Sequence, residues 1–226
     1  MKNSLHLLAI VALATSLRAE TPAPPATTIS VPDQLIAAAK MDTEDDFATK
    51  GKPAAGKFQR GIGTWSIKDG AAYAVMEGPS EKRPNGHEAV SEQLTDLGDL
   101  IFTAEFKLGE SPQVGFVCRD TNSPNLHQGR VQVTPDAMWV QKMSGISKET
   151  RREELERKAI PTDPNTWHTI TIEIVGDHWH AVIDGQHTLD AHHERFLDRK
   201  GRVGIVARGE GAQFRNLAIW SAKPKG

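Results

Sequence analysis

Glu105, Arg119, Arg130 and Gln132 each occupy a polar position within an alternating apolar pattern. Residues two apart on a strand share a side, so Arg130 and Gln132 point together. The stretches FTAEFKL at 102–108 and VGFVCR at 114–119, read as neighbouring strands across a Gly-Glu-Ser-Pro turn, would set Glu105 beside Arg119. A carboxylate, two guanidinium forks and an amide on one sheet face suit a hydroxyl-rich ligand, and Trp139 offers a plane on which a sugar ring can stack. The same residues also fit a cross-strand ion pair between Glu105 and an arginine on an exposed face, and spacing does not separate the two readings.

Other chemistries find less support. Glycoside hydrolysis normally needs two carboxyl groups a few ångströms apart, and Glu105 has only Glu92 and Glu173 as unplaced seconds. His178 and His180 are two apart on a strand, with His192 and His193 nearby; such a set can hold a divalent ion. Trp179 and Ala181 take the apolar side of that strand, which leaves the histidines outside. No metal site and no cofactor is therefore assigned, a divalent ion at these histidines being the one alternative. Cys118, the single cysteine, lies on an apolar face, away from nucleophilic duty and without a disulfide partner. Gly61-Ile62-Gly63 has no helix after it to cradle a phosphate. The acidic run at 42–46 reads as a solvated loop, since it lacks the fixed spacing of a calcium loop.

The chain has 226 residues and 38% hydrophobic side chains, enough for one β domain with a real core. Residues 1–19 read as a signal peptide: Lys2 leads an apolar run from Leu5 to Leu17, and Ala19 is small. The run is too short to span a bilayer, so no membrane insertion is expected after its removal. The formal charge of −2 would become −4, with 25 basic against 29 acidic side chains, and no basic patch favours nucleic acid. Residues 20–32, rich in Pro, Ala and Thr, form an extended tether before a single domain at 33–226. A periplasmic or secreted location follows, and oligomeric state is not indicated.

From Gly61 onward short alternating runs are separated by Asp-Gly, Pro-Asp, Gly-Asp and Asp-Gly turns. About a dozen strands without a long helical period predict an all-β, antiparallel two-sheet sandwich. The exception is SKETRREELERKA at 147–159. Its helix formers and opposite charges four apart predict a short inserted surface helix.

The order of several pieces carries a resemblance: WSIKDG at 65–70, FTAEFKL at 102–108, GFVCR at 115–119, WHTITIEIVGD at 167–177, IDGQ at 183–186, GRVGI at 201–205 and FRNLAI at 214–219. Over residues 47–220 the chain resembles the 3-keto-disaccharide hydrolases, a concanavalin-like jelly-roll family common among exported bacterial proteins. The resemblance implies a carbohydrate-active protein that cleaves or hydrates a 3-keto-glycoside. A ketone acidifies the neighbouring C–H, so one base, Glu105 or His127, with an enolate-stabilising arginine or metal would suffice. Gly129-Arg130-Val131-Gln132 stands where the family commonly has Tyr-Glu-x-Gln, and Ser111-Pro112-Gln113 where it has Asn-Ser-Gly. The first departure favours the alternative, a non-catalytic carbohydrate-binding or envelope interaction module.

Overall fold

Strands with one apolar face need a second layer. The computed structural model, which describes residues 48–54, 58–120, 126–145 and 149–224, supplies it as two antiparallel sheets packed face to face. The strands are, in chain order, β1 (Ala48–Pro53), β2 (Gln59–Ile62), β3 (Thr64–Lys68), β4 (Ala71–Val75), β5 (Ala89–Leu97), β6 (Leu100–Lys107), β7 (Gln113–Asp120) and β8 (His127–Val133). There follow β9 (Ala137–Ser144), β10 (Arg151–Ala159), β11 (His168–Val175), β12 (His178–Ile183), β13 (His187–His192), β14 (Lys200–Arg208) and β15 (Glu210–Pro224). One sheet runs β13-β12-β11-β6-β15-β4-β3, with β1 joined to β15; the other runs β10-β9-β8-β7-β14-β5-β2. The expected all-β sandwich is the fold that forms.

Turn chemistry fixes the hairpins. Asp69-Gly70 and Asp184-Gly185 have φ of 51° and 75°, and 53° and 65°. Two successive positive φ values make the type I′ turn whose twist matches the strands it joins. Between the sheets, Phe116 of β7 meets Phe102 and Phe106 of β6 edge-on, with ring centroids at 5.9 and 5.7 Å. The short 3-10 turn Glu194–Leu197 sends Phe196 against Trp179 at 5.1 Å.

Two expectations are corrected. First, β6 and β7 are not neighbours in one sheet; they belong to opposite sheets and face each other across the core. An apolar alternation of period two looks the same whether the next strand lies beside or opposite. Gly109, at φ 59°, and the following Glu-Ser-Pro turn the chain through a corner between sheets. Second, the helix expected over 147–159 is the edge strand β10, paired to β9 from Arg151↔Ser144 to Ala159↔Ala137. With Leu155 as its one partly buried apolar contact, the segment has no stripe to bury as a helix, whereas its charges suit an exposed edge that must not pair with another chain. The readings of residues 1–47, including signal, tether and acidic run, lie outside the described residues.

Candidate functional site

The seven-stranded sheet turns the polar positions of β8 outward. Arg130 is only 6% exposed, and its Nη1 donates to Oε1 of Glu88 at 2.8 Å. Gln132 lies beside it; with the amide oxygen turned toward Arg130 it accepts from that guanidinium, and its nitrogen donates to the Val114 carbonyl at 3.2 Å. The amide fits because the neighbour on β7 is Gly115, where a Cβ would come within 2.6 Å of it. Gly204 of β14 makes the same allowance for Glu92, whose Cγ would lie 2.5 Å from a Cβ there.

Beside Arg130 the surface opens into a cleft of about 250 Å³ lined by His87, Glu88, Arg130, Arg152 and Arg208, with Gly86 in its wall. The elements come from four parts of the chain. His87 and Glu88 precede β5, in a polar loop closed by reciprocal backbone bonds between Glu77 and His87 at 2.9 and 3.0 Å. Arg130 is on β8, Arg152 on the edge strand β10, and Arg208 at the end of β14. The sheet order, not sequence proximity, assembles them.

The imidazoles here differ in chemistry. His87 Nδ1 lies 2.7 Å from the Glu88 carbonyl oxygen. A carbonyl only accepts, so Nδ1 carries the proton and Nε2 of the neutral ring keeps the lone pair. His127 lies opposite Arg119 in the β7–β8 pairing. Burial, followed by the positive charges of Arg119, Arg130 and Arg152, pushes its pKa down to about 3. The ring is therefore neutral at physiological pH and a weak base, and among the described residues its Nδ1 has no hydrogen-bond partner.

The residues expected from sequence are divided between the two sheets. Arg119 and Gln132 share the outer face with Arg130, but Arg119 is committed to Glu92, which also takes Arg202 at 3.4 Å. Trp139 is on the same face; Arg157 covers its ring at 4.0 Å, and its indole N–H donates to Gln141 at 3.1 Å. Glu105 does not join them. It lies on β6 in the eight-stranded sheet, where Arg215 donates to it at 2.5 Å and Asn216 donates to its other oxygen. The ion-pair reading is the one that describes Glu105. Glu173 is buried in that sheet as well, at 2% exposure.

The histidines form a separate group on that eight-stranded sheet. His178 Nε2 and His180 Nδ1 both lie against one Asp190 oxygen, at 2.9 and 2.7 Å, and the ligand atoms of the three sit within 4.8 Å of one another. His192 stacks on His178 at 4.3 Å, while His193 instead accepts from Arg195 N at 2.9 Å to cap the 3-10 turn. Cys118 is buried and its thiol is pushed up to about 12 by desolvation, in keeping with an inert core position. His87, Glu88, Arg152 and Arg208 were not singled out by sequence reasoning; a His-Glu pair directly after an Asn-Gly turn was the one local signal available.

Compared with known proteins, residues 43–220 match the family described as the 3-keto-alpha-glucoside-1,2-lyase-like domain. The chain belongs to this family. No curated protein matches it. Among solved structures the lyase-like domain is similar to the carbohydrate-binding module CBM66 from Bacillus subtilis, at 15% identity and a TM-score of 0.58, covering 73% of this chain and 95% of that one. It is also similar to the CBM2 module of the evolved Dit of Lactobacillus casei BL23 phage J-1, at 11% identity and a TM-score of 0.50, over 73% and 81% of the two chains. A sialidase matches at 10% identity and a TM-score of 0.51, over 70% of this chain but 16% of its own. These likenesses establish the sandwich of the lyase-like domain and nothing finer. Among the described residues no helix is long and apolar enough to cross a membrane.

Proposed function

We propose that this domain binds a carbohydrate in the arginine cleft and, given a 3-keto-glycoside, eliminates the glycosidic oxygen there. The carrying observation is the convergence of His87, Glu88 and Arg130 in one cleft of a lyase-family sandwich. In this reading His87 Nε2 takes the proton from C2, next to the ketone. The C–H electron pair moves into an enolate whose oxygen is met by the Arg130 guanidinium. Collapse of the enolate forms the C1–C2 double bond and breaks the C1–O bond, and the leaving oxygen takes the proton back from His87. Water can then add to the unsaturated keto sugar. Glu88 holds Arg130 in position and does not itself need to move a proton.

The test is release of aglycone from 3-keto-glucosides beside their unoxidised parents, for the wild type, His87→Gln and Glu105→Gln. The expected result is release from the keto sugars alone, lost in His87→Gln and kept in Glu105→Gln. Loss in Glu105→Gln without loss of folding would overturn the assignment of the cleft.

A second reading, a binding module without catalysis, is favoured by one observation: Glu88, the one carboxylate that lines the cleft among the described residues, is already ion-paired. A sugar-dependent rise in melting temperature without any release is its signature. Export to the periplasm or medium completes the proposal, on the strength of residues 1–19, and N-terminal sequencing of the exported protein checks it.

A further inference from the structure

The cleft carries more positive charge than the elimination needs. One developing enolate oxygen calls for one guanidinium, and Arg130 supplies it with its own charge balanced by Glu88 at 2.8 Å. Arg152 and Arg208 line the same cleft, both exposed, and among the described residues no carboxylate pairs with either. Acids on the same sheet are committed elsewhere, Glu92 to Arg119 and Arg202, Glu153 to Lys142 and Glu154 to Arg157, while Glu210 on β15 of the other sheet accepts from Tyr73. Three guanidiniums against one carboxylate is a local excess in a chain whose formal net charge is −2. Guanidinium forks match the planar pair of oxygens of a carboxylate and the oxygens of a sulfate ester.

We propose that Arg152 and Arg208 make the cleft selective for an anionic carbohydrate, a sugar bearing a carboxylate or a sulfate, over its neutral counterpart. This rests on the reading of the cleft as the carbohydrate site. The basicity of His127 is lowered first by burial and then by Arg119, Arg130 and Arg152, so Arg152 contributes to a positive field on this side of the sheet. A pyranoside with one acidic substituent would place its ring in the cleft and its acid between the two exposed arginines.

The experiment measures binding of the full chain to a uronate-containing disaccharide, a sulfated disaccharide and the neutral parent, at low and high salt, for the wild type, Arg152→Gln, Arg208→Gln and the double variant. At least one anionic sugar should bind about ten times more tightly than the neutral parent at low salt, with the preference shrinking as salt rises. Each single variant should cut that preference severalfold, and the double variant should bring the ratio near one. Both side chains are exposed, so melting temperatures should hold and serve as the folding control. Equal affinity for charged and neutral sugars overturns the proposal while leaving the cleft as a sugar site. A preference that survives in the double variant also overturns it, as does inorganic sulfate binding as tightly as the sulfated sugar. Failure of every sugar to bind overturns the reading of the cleft itself.

Discussion

Replacing Glu105 by Ala should weaken the fold and leave the cleft untouched. The carboxylate accepts from Arg215 and Asn216 on β15, so the substitution removes two charge-assisted hydrogen bonds between strands of the eight-stranded sheet. Hydrogen bonds to charged groups are worth about 1.5–3 kcal/mol each when well buried. Here the side chain of Arg215 is 37% exposed and can turn to water, which discounts its share toward that of a surface pair. Asn216 sits at φ 51°, a conformation that asparagine tolerates, and its amide loses its carboxylate partner. A net loss of about 1–2 kcal/mol results, which for a domain of this size lowers Tm by about 2–8 °C. Thermal unfolding monitored by circular dichroism reads it, with sugar binding or aglycone release measured well below the new Tm. Asn216→Gly, which loses the same bond but eases the backbone, should cost less than Asn216→Ala. Abolished activity at an unchanged Tm in Glu105→Ala would refute the argument, because it would mean that the carboxylate works on substrate and not on β15.

Other expectations follow from the same geometry. Arg130→Met strands the Glu88 carboxylate and the Gln132 amide and should cost about 2–4 kcal/mol, with part recovered in the Arg130→Met/Glu88→Gln double variant; chemical denaturation of the four proteins measures the coupling. Gly204→Ala drives a Cβ against Glu92 Cγ and to within 2.7 Å of the Ser91 carbonyl oxygen, so a loss of about 1–3 kcal/mol is expected by the same assay. Because folded His127 titrates at about 3 and an ordinary histidine at 6.5, the unfolded chain gains the proton first as pH falls. Its contribution is complete above about pH 6.5 and is lost toward pH 3, at up to about 1.4 kcal/mol per pH unit, and His127→Asn should flatten that limb of the stability curve. Cys118 should resist a thiol reagent in the native protein at neutral pH and react on unfolding.

Local alternation revealed the strands and the Asp-Gly pairs revealed the hairpins, since both are decided within a few residues. What alternation cannot carry is the sheet to which a strand belongs. The corner at Gly109 sent β7 across the core from β6, and that one step separated Glu105 from Arg119, Arg130 and Gln132. The charges of β10 misled for a different reason. Opposite charges four apart stabilise a helix by a few tenths of a kcal/mol per pair, whereas pairing to β9 along the edge satisfies a whole row of backbone groups. The same charges then find partners as a strand, with Lys142 reaching Glu153 at 2.6 Å and Arg157 reaching Glu154 at 2.8 Å. His87, Glu88 and Arg208 escaped notice because only the order β8-β7-β14-β5 brings them to Arg130.

The arginine at position 130 gains meaning from that order. A guanidinium buried at that place would, alone, be an unbalanced cation. Glu88, arriving from the segment before β5, balances it with an ion pair at 2.8 Å. A guanidinium at 6% exposure lines the cleft, held by Glu88 and Gln132, and Arg152 and Arg208 line it as well. A fixed, charged donor at that place suits negative charge, which in the proposed readings is the enolate oxygen of the elimination or an acid carried by the sugar. In the proposed elimination the proton acceptor is His87, whose Nε2 is left free by the Nδ1 contact to the Glu88 carbonyl.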